Sequence, residues 1–262
     1  MKKIATSLAV VTAGAALTAC GSSSSSGQTT PGASGSPGTS GHQTLTVFAA
    51  ASLKGTFTTL KSAFEAAHPG VTVTFDFNGS SSLVQQIHNG APADVFASAD
   101  KTNMAKLGST AVAPADFAKN VLEIATPAGN PAHVQGLSDL SRSGLNLVVC
   151  ASAVPCGSAA KKLAAKDHLT LNPVSEEQSV TGVLAKVESG QADAGLVYVT
   201  DVRGAGSQVT GIEIPAAQNV STTYQISVLK GASQSALAQE WVTFVESSAG
   251  QQVLQAAGFG KA

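Results

Sequence analysis

The chain has 262 residues, 43% of them hydrophobic and only 12% charged, and its 15 basic and 16 acidic side chains nearly cancel. A balance this close to neutral offers no electrostatic footprint for nucleic acid or for an anionic membrane surface. The stretch beyond the low-complexity N-terminus is long enough for two lobes of ordinary domain size or for one large one.

Lys2 and Lys3 precede an apolar run, Ile4 to Leu17, that is short and rich in small residues for a membrane span, and "LTAC" ends it at Cys20. Leu-Thr-Ala-Cys resembles the lipobox of bacterial lipoproteins, which implies a signal peptide over residues 1–19 and a lipid on Cys20. Residues 20–42 are almost entirely Ser, Gly, Thr and Pro, the composition of a flexible tether. No later segment is long and apolar enough to cross a bilayer, so the lipid alone is expected to hold an exported chain to the membrane.

In the body, Leu45 to Ala49 reads as a short buried strand, and Leu53, Phe57, Leu60 and Phe64 follow at helical spacing as far as "HPG". "VTVTFDF", Val71 to Phe77, alternates apolar and polar as a half-buried strand does. "NGSSSLVQQIHNG" is a turn, a serine cluster and a short helix with Leu83, Val84 and Ile87 on its apolar side; "ADVFASAD" returns as a strand, with a helix over Lys101 to Leu107. This β-α-β-α-β-α order predicts an α/β fold with a mostly parallel sheet.

The pattern restarts after Asn120 with "VLEIAT" and "LNLVVCA" as strands, a helix over Gly157 to Asp167, another over Thr181 to Glu188, and "DAGLVYV" as a buried strand. "TYQISVLKG" reads as a long strand, and Leu237, Trp241, Phe244 and Val245 stripe a terminal helix. Cys150 and Cys156 stand close together in "CASAVPCG". In an oxidising compartment they predict a small-loop disulfide, worth about 2 kcal/mol. Two cysteines alone make a poor metal site, and C-x5-C lacks thioredoxin-type spacing.

Four places set small or hydroxyl residues where a strand runs into a helix start: Ser52 after "FAAA", Ser80 in "NGSSSL", Cys156 in "VPCGSAA" and Val180 in "QSVTG". Helix starts offer unpaired N–H groups and the positive end of a dipole, and in open α/β folds such turns gather outside the carboxyl ends of the strands. Together they are expected to surround a small anion. Taken singly, Ser52 and Ser80 read first as helix caps, and Tyr198 as a core ring.

These segments, "VFAAASL", "SSSLVQQIHNGAPADVFASAD", "VPCG" and "SVTGVLAKVESGQADAGLVY", resemble the motifs of the periplasmic molybdate-binding protein family over about Leu45 to Phe259. The resemblance implies a type II periplasmic-binding-protein fold: two α/β lobes, a hinge of two crossing segments, and a central cleft. Lobe I would comprise residues 43–119 and 224–262, lobe II residues 120–223. It implies an oxyanion held by the hydroxyls of Ser52, Ser80 and Tyr198 and by backbone N–H groups at Cys156 and Val180. Cys156 stands where the family pattern has alanine. The implied ligand is molybdate or tungstate, with no cofactor, no free metal cation and no catalytic residue. The implied role is that of a monomeric receptor, outside the cytoplasmic membrane, serving the membrane permease of an ABC importer.

Two other readings remain open: a receptor for another oxyanion such as sulfate or phosphate, and a serine hydrolase using Ser52 or Ser80. No G-x-S-x-G occurs in the folded body to favour the latter. Asp94 and Asp100 flank a strand and are expected to cap loops or face solvent, while Glu176 and Glu177 are expected to lie on a solvated surface. "RGAGSQ", Arg203 to Gln208, follows a strand but lacks a full phosphate-loop pattern, and the five histidines show no metal-ligand spacing.

Overall fold

The computed structural model describes residues 42–262; the leader, Cys20 and the tether lie outside the described residues. β1 (Gln43–Ala50) starts earlier than its apolar run because Gln43 and Thr44 pair in parallel with Val71 and Thr72 of β2 (Val71–Asn78), a backbone contact that hydropathy does not encode. Between them α1 (Lys54–Ala67) buries Phe57, Leu60 and Phe64 as the spacing predicted. β2 is an edge strand, so of its alternating apolar residues only Val73 is fully buried. α2 (Ser80–His88), β3 (Val95–Ser98) and α3 (Lys101–Lys106) follow, with β3 parallel to β1 on its other side.

The expected restart after Asn120 is not an element boundary. β4 (Ala111–Pro127) runs through it for 17 residues, its first half, with four alanines and Pro114, lacking the run of β-branched residues that reads as a strand. That half pairs antiparallel with β9 (Ser221–Leu229), with Lys119 opposite Thr223 and Asn120 opposite Thr222. Beyond it β4 pairs with β7 (Ala194–Tyr198) and with β8 (Val209–Glu213), also antiparallel. The sheet is therefore mixed, not mostly parallel: its order is β2-β1-β3-β9-β4-β7-β5-β6, and β3–β9 is antiparallel as well.

β5 (Leu147–Cys150) leads into α4 (Pro155–Lys166), and the edge strand β6 (Ser175–Glu177) into α5 (Val180–Glu188). Glu176 and Glu177 thus sit on a strand, where Glu177 holds Lys186 and accepts from the Ser175 hydroxyl. Those partners keep its carboxyl below its ordinary range. α6 (Val199–Ala205) separates β7 from the glycine-rich turn at Gly206–Gln208, so "RGAGSQ" straddles a helix end and does not follow a strand directly. α7 (Ser235–Glu246) is not terminal: Ser247 caps a further helix, α8 (Ser248–Ala257), accepting from the Gly250 N–H at 3.2 Å.

Two main clusters form the interior. One joins Leu45 and Val47 of β1 and the α1 stripe to Trp241 of α7, whose indole meets Phe57 and Phe64 edge-on. The other joins Leu122 and Ile124 in the second half of β4 to Leu147, Leu163, Val183 and Tyr198. A smaller third cluster gathers Phe48, Leu83, Phe96 and Met104 beneath α2 and α3. Asp94, buried at the start of β3, accepts from the Thr46 and Gln234 N–H groups and the Ser233 hydroxyl, and so ties β1 to the approach to α7. Asp100 caps α3 by accepting from the Asn103 N–H at 2.7 Å.

Candidate functional site

The four strand-to-helix corners meet. Ala50–Ser52, Asn78–Ser80 and Ala99 form one wall of a cavity; Val154–Cys156, Val180 and Tyr198 form the other. Ser52, Ser80, Cys156, Val180 and Tyr198 all line it, and among the described residues no charged side chain does. Its free volume is about 10 Å³, no more than a single water needs.

Neither serine caps its helix. Ser52 lies in a 3₁₀ turn, Ala51–Leu53, that leads into α1, and α2 is preceded by Gly79 as N-cap, with Ser80 as its first residue. The hydroxyls point elsewhere: Ser80 Oγ accepts from the Ala99 N–H at 3.0 Å, and Ser52 Oγ lies 2.8 Å from Tyr224 Oη. Because an N–H can only donate, Ser80 must accept from Ala99, which leaves its own proton free for something in the cavity.

The opposite wall is built from helix starts. Pro155 occupies the first position of α4, and since proline has no N–H, Cys156 carries the first free amide of that helix. The structure joins Cys156 to Cys150. The loop they close leaves no room for a side chain at Gly157, where a Cβ would stand 2.1 Å from the Ala151 carbonyl oxygen. Val180 opens α5 behind Ser179, whose hydroxyl accepts from the Gly182 N–H at 3.2 Å. With one orphan donor satisfied by the cap, the amides at the start of α5 still face outward.

Tyr198 is 1% exposed, and its hydroxyl has no hydrogen-bond partner among the described residues. Burial pushes its phenol well above the ordinary range, so it stays a donor. The cavity is thus surrounded by donors: three hydroxyls and the N-terminal amides of α2, α4 and α5, with their dipoles' positive ends inward. Such a set suits an anion without protons. Among the described residues, no histidine or carboxylate lines the cavity beside either serine.

Four contributors were not visible in the sequence. Tyr224 and Asn120 lie behind Ser52, and Asn120 Nδ2 donates to Thr200 Oγ1 at 2.8 Å and to Tyr224 Oη at 3.4 Å. Asp201, on the first turn of α6, accepts from the Tyr198 N–H at 2.9 Å. Burial raises the Asp201 carboxyl to about 7 against that bond. A native state that binds this proton more tightly than the unfolded chain gains stability as pH falls from about 7 toward 4, and loses it as pH rises through the same window. Thermal unfolding of Asp201→Asn should accordingly show a raised Tm above pH 7 and a flattened profile between pH 4 and 7. An unchanged pH profile would show that Asp201 is not the group responsible.

The profile of the bacterial extracellular solute-binding protein family matches residues 45–260. The molybdate-binding protein ModA of Mycobacterium tuberculosis H37Rv is 49% identical over 222 residues, 84% of this chain and 85% of that protein. Among solved structures, the periplasmic molybdate-binding protein of Azotobacter vinelandii superposes with a TM-score of 0.72 at 22% identity, covering 83% of this chain and 99% of that one. The sulfate-binding protein SubI of M. tuberculosis H37Rv does so with 0.69 at 22% identity, covering 84% and 88%. The chain belongs to the bacterial extracellular solute-binding proteins, in the family of the molybdate-binding receptors.

Proposed function

We propose that this protein captures molybdate outside the cytoplasmic membrane and delivers it to the permease of an ABC importer. The observation that carries the reading is a cavity in which donors converge from separate helix starts with no charged side chain among them. A doubly charged oxyanion can leave water for such a site only if its oxygens are fully hydrogen-bonded, and charge-assisted bonds from neutral donors supply that pairing. The fold alone does not choose the anion, since a sulfate-binding protein shares it. The 49% identity to a molybdate-binding relative favours molybdate.

Ser52, Ser80 and Tyr198 would donate hydroxyl protons, and Cys156 and Val180 backbone N–H groups. Tungstate, nearly the same size as molybdate, would bind as well. The cavity is too small to admit a tetrahedral oxyanion unless its walls part. A hinge would allow that, with residues 43–119 and 224–262 as one lobe and 120–223 as the other. The proposed boundaries lie side by side on β4 and β9 at Lys119 and Thr223. The protein would act as a monomer and a receptor, not an enzyme. A lipid on Cys20 would hold it to the membrane, and an oxidising exterior would keep Cys150 and Cys156 joined.

Calorimetric titration with molybdate, tungstate, sulfate and phosphate tests the reading. Molybdate and tungstate should bind tightly, and sulfate and phosphate more weakly. Tighter binding of sulfate than of molybdate would overturn the choice of ligand.

A further inference from the structure

Ser52 differs from Ser80 in having another hydroxyl as its partner, so geometry at the serine alone does not say which of the two oxygens donates. The answer lies further back. Asn120 Oδ1 accepts from the Val121 N–H at 3.0 Å, and because that amide can only donate, the other end of the Asn120 side chain must be its NH2. That NH2 donates to Thr200 Oγ1 and to Tyr224 Oη. Asn120 Nδ2 can only donate, so among the described hydrogen-bond neighbours of Tyr224 Oη the acceptor left for its own proton is Ser52 Oγ, and the Ser52 proton is left for the cavity.

We propose that Asn120 and Tyr224 are positioning residues of the anion site, a directional hydrogen-bond relay that holds Ser52 as a donor and so sets the preference for oxyanions that carry no proton. Asn120 and Tyr224 are 3% and 0% exposed, so water does not compete at that end of the network. Burial holds the Tyr224 phenol above its ordinary range, and it keeps its proton. Asn120 and Tyr224 sit on β4 and β9, and the Tyr224 ring also meets that of Tyr198 edge-on at 6.0 Å. One tyrosine thereby steadies two of the groups on the cavity wall.

The inference rests on the anion-site reading, and the test separates the two. Sulfate and phosphate are of similar size, but phosphate keeps a proton at neutral pH, so comparing them isolates protonation from size. The full chain is titrated with molybdate, sulfate and phosphate as wild type, Tyr224→Phe, Asn120→Leu and the double variant, each also with Ser52→Ala. Tyr224→Phe should weaken molybdate about 10-fold and Asn120→Leu about 3-fold, as expected for one neutral bond behind a charge-assisted one. The double variant should be no weaker than Tyr224→Phe, and neither change should matter once Ser52 is alanine. In both single variants Ser52 becomes free to accept, so the gap between sulfate and phosphate should narrow, which a merely structural loss would not cause.

Wild-type molybdate affinity from Tyr224→Phe, a full extra 3-fold from Asn120→Leu in its presence, or equal losses for sulfate and phosphate would overturn the relay. Should Asn120→Leu fail to fold, the Tyr224→Phe and Ser52→Ala cycle decides alone. If the wild type does not bind molybdate, the ligand reading fails, and the same cycle is read on the anion it does bind.

Discussion

Replacing Ser80 by alanine should weaken molybdate binding about 100-fold, the loss expected for one buried charge-assisted hydrogen bond of 1.5–3 kcal/mol. The same change should also destabilise the ligand-free protein, because Ser80 is 1% exposed and its oxygen is the partner of the Ala99 N–H. An unsatisfied buried amide costs about 1–3 kcal/mol. Tyr198→Phe should match it in affinity and part from it in stability. The Tyr198 hydroxyl has no partner among the described residues, so its removal leaves no buried group unsatisfied and the ligand-free protein should keep its stability. Calorimetry and thermal unfolding of the two variants, each with and without molybdate, give four readings. A Tyr198→Phe protein that binds molybdate as tightly as wild type would remove that hydroxyl from the site. An equal fall in ligand-free Tm for both variants would show that the Tyr198 hydroxyl has a partner.

Gly79→Ala should reduce molybdate affinity 10-fold or more through a contact that touches no ligand. Gly79 has φ −60°, so it is not glycine for conformational reasons. A Cβ there would stand 2.1 Å from the Gln178 carbonyl oxygen, at the rim where the approach to α5 meets the start of α2. Overpacking of this kind costs about 1–3 kcal/mol. If the two walls separate when the cavity is empty, that cost falls on the closed form alone. The ligand-free Tm should then move little, while the Tm rise produced by molybdate shrinks. A ligand-free Tm lowered as much as the liganded one would mean that the contact persists in both forms, and the hinge proposal would lose its support.

Most of the helices and the main strands were legible from residue patterns. The α1 stripe of Phe57, Leu60 and Phe64 and the starts of α2, α4 and α5 follow from spacing and from where small residues interrupt apolar runs, both of them near-neighbour effects. The five candidate ligand-contacting residues came from the family resemblance laid over those starts. What escaped was of two kinds. β6, β8 and the first half of β4 are strands because a partner strand lies beside them: β6 is polar, β8 is short with a glycine at its centre, and the first half of β4 is alanine-rich with a proline, so none shows a β-branched apolar run. The serines read as possible caps prove to bond elsewhere, which no local rule reports.

By itself the sequence determined the helix starts, the apolar stripes and the near-neutral, donor-rich character of the corners, because each depends on residues within a turn or two of one another. Only the tertiary structure decided which way the hydroxyls point. Ser52 finds Tyr224 across 172 residues, and Asn120 finds Thr200 across 80 and Tyr224 across 104. The antiparallel pairing of β4 with β9 sets Asn120 opposite Thr222, two residues from Tyr224, and brings the network together. A hydroxyl can donate or accept, and its choice is made by whichever group lies behind it in space.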